Sequence, residues 1–592
     1  MGTISDKLMR IINTKEDIRQ ALISKGYDVP TSIPFKEYAK MILDLPCKAD
    51  SFPDIEGIVA RYSASGLTNE QMAANPVWVD KTSNGHDLQL KNLAWGGMSG
   101  VGGYADNWNS SADWAINSYW VNSYTDHKLQ FIKASSVVQA RSNNIYNAEN
   151  VYKNILNVNG LTEAVNKGSV KDLRIIATDP ITSKAIKTLS FDSDGIIQIS
   201  FDDVLQDYYV NYFVTGNNTN DIDITIEQLP LYPGALVFDG VDDYGVCENF
   251  PILTKEKGYT VVALRQWDQD FLNTTLTGGL LSTRNYSTGE GVAFEKIESS
   301  NKGYWNLGAG GIIDFAKSPF TWQTSKQYNN VGILKGDKNH GKPLCVGCGL
   351  SGGQQCGRFA IWELVFLDHD ATEEELTKIK DYFVKTYPWL FPAQAWIVVG
   401  KTNEDDDRAT IANITGNGND LILSNFGFAE GSGYNEEGEY AGYLVTDGVD
   451  DKIISSIFKM GNDWTVIGDW ELINTGKNDN AGIVKFDSIV IYNYNYNYNS
   501  MLINIKNGRN ILIPDQNTVN AICSDGRIYS KDWKESIYNE ETESTSKNFL
   551  TIGYSGNAYT KIAFKNLAIY PTVLSREDCI KAYNYLQTLK SK

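Results

Sequence analysis

The residues best suited to chemistry are carboxylates that occur twice in one pattern. The stretches GALVFDGVDDY (234–244) and GYLVTDGVDDK (442–452) place Asp239, Asp242 and Asp243 opposite Asp447, Asp450 and Asp451. Clustered hard oxygens suit a calcium ion. The same residues suit a tight turn, because Gly tolerates positive φ and Asp bonds its own backbone. Their recurrence at a turn in both stretches favours a structural turn over acid–base catalysis. Histidine is scarce: His86, His127, His340 and His369. His86 stands where the second copy has Asn419, so it is not a shared catalytic base, and nothing suggests the base and orienting group of a nucleophilic triad. Cys345 and Cys348 have metal-pair spacing with Cys356 nearby, but no Cys or His pair completes a zinc set. They read as buried strand cysteines. The glycine-rich run 96–103 lacks the Lys-Ser/Thr of a phosphate loop and reads as a surface loop. In IYNYNYNYNS (491–500) the two-residue period puts Tyr492, Tyr494, Tyr496 and Tyr498 on one face. That face is a candidate for stacking on glycan rings, against the plainer expectation of core packing.

The elements carrying these groups form a repeat. Each Asp-Gly turn follows an alternating apolar strand. Upstream, NGHDLQLKNL (84–93) matches NGNDLILSNF (417–426), with Thr-Asn-Glu before each at Thr68 and Thr402, and Gly-Tyr after each at Tyr104 and Tyr434. Downstream, Phe359 to Thr372 matches Ile562 to Ser575 without a gap: strand, short turn, then a helix behind a hydroxyl N-cap and acids. Asn84 to Asn417 spans 333 residues whereas Gly240 to Gly448 spans 208, and the difference of 125 is extra chain inside the first copy. This guest, about 112–230, is expected to be a small β-sandwich or β-rich module, with a short helical patch around Ala148 to Leu156. Residues 387–392 (YPWLFP) read as a stiff apolar joint that holds the two copies at a set angle.

The Asp-Gly-Val-Asp-Asp turn, the Asn-Gly-(His/Asn)-Asp-Leu opening and the closing NLAIY (566–570) with Leu574 and Ser575 resemble laminin-G / concanavalin-A-like lectin domains. The resemblance covers about 57–104 with 231–391, and 393–590. It implies a mainly β protein: two jelly-roll sandwiches of antiparallel sheets, in residues 51–391 and 392–592, the first interrupted by the guest. It leaves function open, because this fold hosts lectins, enzymes and spacers. Glycosidases of that family carry paired Glu on a strand in Glu-x-Asp-x-x-Glu order, and no such stretch occurs here.

Residues 1–50 differ from everything after them. Thr14 to Asp17 resembles a capping box, Ile18 and Leu22 share a helical face, and Phe35 and Ile42 repeat the spacing after Pro34. So short a segment cannot hide its apolar faces alone, and Leu8, Ile11, Ile18, Leu22, Phe35 and Ile42 are expected to attach it to another chain or to sister copies in a homo-oligomer, the plainer alternative being a helical cap packed on the first sandwich. The wording of 15–26 and 33–42 resembles N-terminal segments of tailed-phage virion proteins, where they precede fibre, appendage or baseplate modules. A formal charge of −19 disfavours nucleic-acid partners. The absence of a long apolar run argues against a membrane span, and the N-terminus lacks a signal-peptide core.

The expected reading is therefore a non-enzymatic tailed-phage virion component (tail, collar or head fibre, or appendage), made in the host cytoplasm. Residues 1–45 would meet other virion proteins, the sandwiches would meet host-surface glycans, and calcium would be the only cofactor to consider. The rivals are a free or cell-surface carbohydrate-binding protein and, behind it, a glycan-degrading enzyme.

Overall fold

The computed structural model describes residues 52–589 apart from short segments, the longest being 284–292, 315–323, 327–342, 474–481 and 538–546. The expected attachment residues Leu8, Ile11, Ile18, Leu22, Phe35 and Ile42 lie outside the described residues. The chain divides into two compact units: Met1–Ile55 with Glu374–Tyr382, and Glu56–Glu373 with Phe383–Lys592. In the first, the ring of Phe52 meets that of Tyr382 edge-on at 4.9 Å.

The second unit is mainly β, and its described residues hold six large sheets that pack in pairs. In the first sandwich the strand Arg358–Leu367 is the spine of a six-stranded sheet. Ile58–Ser63 and Leu236–Asp239 lie along one edge of this spine and Thr260–Trp267 along the other. Alternation sorts its side chains. Phe359, Ile361, Leu364 and Phe366 face a core shared with Leu88 and Leu90 of the opposing ten-stranded sheet. Ala360 and Trp362 face the other way.

The second sandwich repeats the arrangement of these spine and flanking strands. Ile562–Tyr570 is its spine, flanked by Gln394–Ile397 and Leu444–Val445 on one edge and Thr465–Leu472 on the other. In the opposing sheets, Val77–Trp78, Leu88–Lys91, Tyr244–Cys247 and Leu344–Val346 correspond in order to Thr410–Ile411, Leu421–Ser424, Lys452–Ser455 and Leu550–Ile552. Even a bulge recurs, between Leu264 and Arg265 in one copy and between Asp469 and Trp470 in the other.

The guest is a sandwich of its own. Two five-stranded antiparallel sheets close on Trp108, Trp114, Phe131, Leu156, Leu173, Tyr212 and Ile226. The helix expected around Ala148 to Leu156 is instead a strand, Lys153–Asn159, paired with both Gly195–Ser200 and Ile224–Gln228. The helix lies just beyond, at Leu161–Asn166, after Gly160 with φ +85°.

The guest's stem also sits earlier than Tyr104. Asn403 brackets the backbone of Tyr434, giving its amide to the carbonyl at 2.7 Å and accepting the N–H at 2.8 Å. Asn69 brackets Val101 in the same way, at 3.3 and 2.6 Å. Val101, not Tyr104, is thus the counterpart of Tyr434, and the Gly-Tyr match is out of register. Leu231 and Tyr232 then donate to Gly103 and Gly102 at 2.8 Å, so the chain leaves and re-enters the first sandwich side by side. A module on such a stem disturbs its host little, since loop closure costs grow slowly with length.

The first and second sandwiches stand back to back with a helix between them. Ser575 caps that helix, Arg576–Gln587, by accepting the N–H of Asp578 at 3.0 Å. Its buried Ala582, Tyr585 and Leu586 join Val237 and Trp362 of the first spine sheet and Ile467 and Ala568 of the second in one apolar cluster. Tyr585 donates to Gln266 Oε1 at 2.9 Å and meets Trp362 edge-on at 5.9 Å. The joint closes the cluster: Trp389 and Leu390 are buried in it, and Tyr570 donates to the Trp389 carbonyl at 3.0 Å. A buried ion pair, Arg61 with Glu363 at 3.2 Å, anchors the joint's first residue, because the Tyr387 hydroxyl donates to the same carboxylate at 2.8 Å.

Candidate functional site

The paired carboxylates come together as expected. In each triad, Asp239–Asp242–Asp243 and Asp447–Asp450–Asp451, one oxygen from each residue lies within 4.8 Å of the others. Their hydrogen bonds show what they do. Asp239 accepts the N–H of Val241 at 2.7 Å, and Asp243 accepts the N–H of Asp239 at 3.0 Å. Asp447 and Asp451 make the same two bonds, each at 2.7 Å. The carbonyls of Asp242 and Asp450 each accept the side-chain amide of an asparagine, Asn92 or Asn425, at 3.0 Å. Those asparagines sit at φ +67° and +70°, a conformation Asn tolerates better than most residues. Burial pushes the Asp243 carboxyl up to about 7, with Asp239 adding to the rise, and burial likewise raises Asp451 to about 6. Turn geometry thus employs the side chains of Asp239 and Asp243 in one copy and of Asp447 and Asp451 in the other, while Asp242 and Asp450 contribute their carbonyls.

The other repeated polar residues are also scaffold. Asp87 and Asp420 each accept a backbone N–H, of Asp80 and of Asn413, at 2.8 Å. His86 and Asn419 offer their carbonyls to the Tyr62 hydroxyl and the Trp396 indole. His86 therefore acts through its backbone, at the place where the second copy uses Asn. Cys345, Cys348 and Cys356 form a small buried cluster on adjacent strands, and burial pushes the Cys356 thiol up to about 12, which leaves it a poor nucleophile at neutral pH. Of the tyrosine stripe, Tyr492 and Tyr494 lie in the strand Ile489–Tyr494, with backbone partners Leu502 and Ser500. Tyr496 and Tyr498 lie outside the described residues.

What the repeat does not contain is a cleft of about 490 Å³ where the guest meets its host. One wall is the hairpin Gly96–Ser99 with Asp239 beside it; the other is guest chain, Ala105–Asn107, Asp113–Trp114 and Asn144–Tyr146. The walls are close because Gly96 has no side chain: a Cβ there would lie 2.7 Å from the Asn107 amide. Beneath the cleft, Asp106 is 6% exposed and fully engaged. One oxygen accepts the Tyr152 hydroxyl at 2.6 Å and the Asn154 amide at 2.9 Å, and the other accepts the Trp114 indole at 3.3 Å. Burial pushes this carboxyl up to about 7 against those bonds. Sequence reading missed the site. Its signals were the glycine run and the aromatic- and amide-rich start of the guest, DNWNSSADW (106–114).

No family model matches the chain, and no curated protein matches it. Among solved structures it is similar to the receptor-binding domain of botulinum neurotoxin type G, at 12% identity, 32% of this chain, 50% of that chain and a TM-score of 0.21. It thus spans half the length of that structure. It is also similar to the binding domain of botulinum neurotoxin serotype D (11% identity, 59% and 89% covered, TM-score 0.22). A third is Trypanosoma rangeli sialidase in complex with sialic acid (9% identity, 78% and 82% covered, TM-score 0.25). The fold described above stands on its own sheets and cores. Among the described residues, no helix is long and apolar enough to cross a membrane.

Proposed function

We propose that this chain is a non-enzymatic adhesive and structural protein that binds glycans, built into a tailed-phage particle through residues 1–45. The observation that carries the adhesive part is the cleft between host sandwich and guest. It is concave, sits at a module boundary, and combines amides and carboxylates with partly apolar walls, the make-up of small-ligand sites. The non-enzymatic part is supported by the engagement of both Asp106 oxygens within the guest and by the turn-capping roles of the Asp-Gly triads. A catalytic acid must instead reach its substrate. The virion part is supported by the wording of 15–26 and 33–42, and by the back-to-back packing, which gives a stiff carrier for an adhesive site.

Two measurements test the reading. Mass spectrometry of purified particles is expected to contain this chain, and its absence from them would refute the virion assignment. Incubation with host polysaccharide is expected to leave chain length unchanged. Sugar release abolished by one Asp or Glu substitution would refute the non-enzymatic assignment.

A further inference from the structure

The chemistry of the cleft narrows its ligand. Its volume of about 490 Å³ falls within the ~300–1,000 Å³ typical of small-molecule sites. Its more exposed polar side chains are of two kinds. Asp113 and Asp239 are partly exposed carboxylates, which accept hydrogen bonds; Asn107 and Asn144 are amides, which donate and accept. Met98 and Ile145, the latter 44% exposed, add apolar surface beside the buried Trp114 and Tyr146. Among the described residues, no Lys, Arg or His lines the cleft. An anionic ligand would meet carboxylates with no cation to offset them, a like-charge arrangement that disfavours binding. An uncharged polyhydroxylated ring fits better. Its hydroxyls donate to the carboxylates and share bonds with the amides, while its C–H face lies on apolar side chains.

We propose that this cleft binds an uncharged sugar unit of a glycan and discriminates against sialylated and uronate-bearing glycans. The proposal rests on the glycan-binding reading above. It adds a location, since the first sandwich and its guest each supply one wall, and a substrate class, since charge selects. The second sandwich has no guest and lacks the second wall. The guest therefore makes a binding site out of a surface hairpin.

The test uses the full chain. A glycan array carries neutral hexose and N-acetylhexosamine oligosaccharides beside sialylated and uronate-containing ones. The best-bound soluble oligosaccharide is then titrated by calorimetry against wild type and variants. Asn144→Ala removes an exposed amide whose side chain donates only a long 3.4 Å bond to Asp113. Ile145→Asp adds charge at an exposed position. Neutral glycans are expected to bind. Asn144→Ala should weaken them about 10-fold, the value of one good hydrogen bond. Ile145→Asp should weaken them further, with melting unchanged in both variants, and Tyr492→Ala should leave binding intact. Preference for acidic glycans would overturn the charge argument. Neutral binding that ignores both cleft variants would move the site elsewhere while leaving the adhesive reading standing. No binding to any glycan class would overturn both.

Discussion

Replacing Asp106 by Asn should remove a pH dependence that belongs to the guest alone. Asp106 is 6% exposed and its carboxyl stands at about 7 in the fold, against an ordinary value of 3.8, because burial outweighs the bonds from Tyr152, Trp114 and Asn154. The folded state therefore holds a proton that the unfolded chain releases. Its stabilising contribution is complete below the unfolded value and is lost as pH rises through about 7. Between pH 5 and pH 8 the loss comes to roughly 2–3 kcal/mol, at about 1.4 kcal/mol per pH unit over the range in which the folded group keeps its proton. Asn has nearly the same shape, accepts through its oxygen and does not titrate in this range. Asp243 moves in the same direction in the host sandwich, so a global melting curve would mix the two. Hydrogen exchange read by mass spectrometry in graded urea separates them, with the strand Val170–Thr178 reporting the guest. Wild type should lose protection there from pH 5 to pH 8, after correction for intrinsic exchange, and Asp106→Asn should lose much less. An unchanged slope in the variant would refute the assignment of the raised carboxyl to Asp106.

Three further outcomes follow from the packing. Trp389→Ala empties a site that is 5% exposed in the cluster joining the sandwiches; it should cost ~3–5 kcal/mol and split one calorimetric transition into two, and a single unshifted transition would contradict the shared core. Gly240→Ala should destabilise more than Gly448→Ala, since both need positive φ but the added Cβ would meet Arg358 Cβ at 2.8 Å in one copy and the Lys561 backbone N at 3.0 Å in the other; paired urea titrations read the order. Millimolar calcium followed by chelation should leave melting unchanged, because the turn carboxylates already cap backbone N–H groups; a rise in melting temperature that disappears in Asp450→Asn would show an ion seat instead.

The framework was legible because its signals are local. Leu88–Lys91 and Leu421–Ser424 alternate buried and exposed as their apolar periods require, and the repeated turns announce themselves through Asp-Gly. The misreadings have physical causes. In Lys153–Asn159 the apolar residues Ile155, Leu156 and Val158 fit a helical face as well as a strand, and pairing on both edges decides for strand. The Gly-Tyr match failed because a dipeptide carries little register information, whereas the asparagine bracket on Val101 and Tyr434 is set by tertiary geometry. The cleft was invisible for a stronger reason. Its walls come from residues 94, 96–99, 105–107, 113–114, 144–146 and 239, and only closure of the guest's stem brings them together.

Comparing the copies separates scaffold from function within one molecule. Where both keep a polar residue, a structural bond explains it: Asn69 with Asn403, Asp87 with Asp420, Asp239 with Asp447. The Asn69–Asn403 and Asp87–Asp420 groups are occupied by backbone, whereas Asp239 caps its turn through Oδ1 and also borders the cleft. Where the copies differ, the bonding differs too. The first has a buried Arg61–Glu363 pair under its joint, while the spine position of Glu363 carries Asn566 in the second. The largest difference is the guest, and it creates a concave surface rather than filling one. A sandwich that served only as a spacer would gain nothing from a second wall beside its Gly96–Ser99 hairpin. On the proposed reading, the duplicated elements supply rigidity and recognition falls to the cleft that the guest adds.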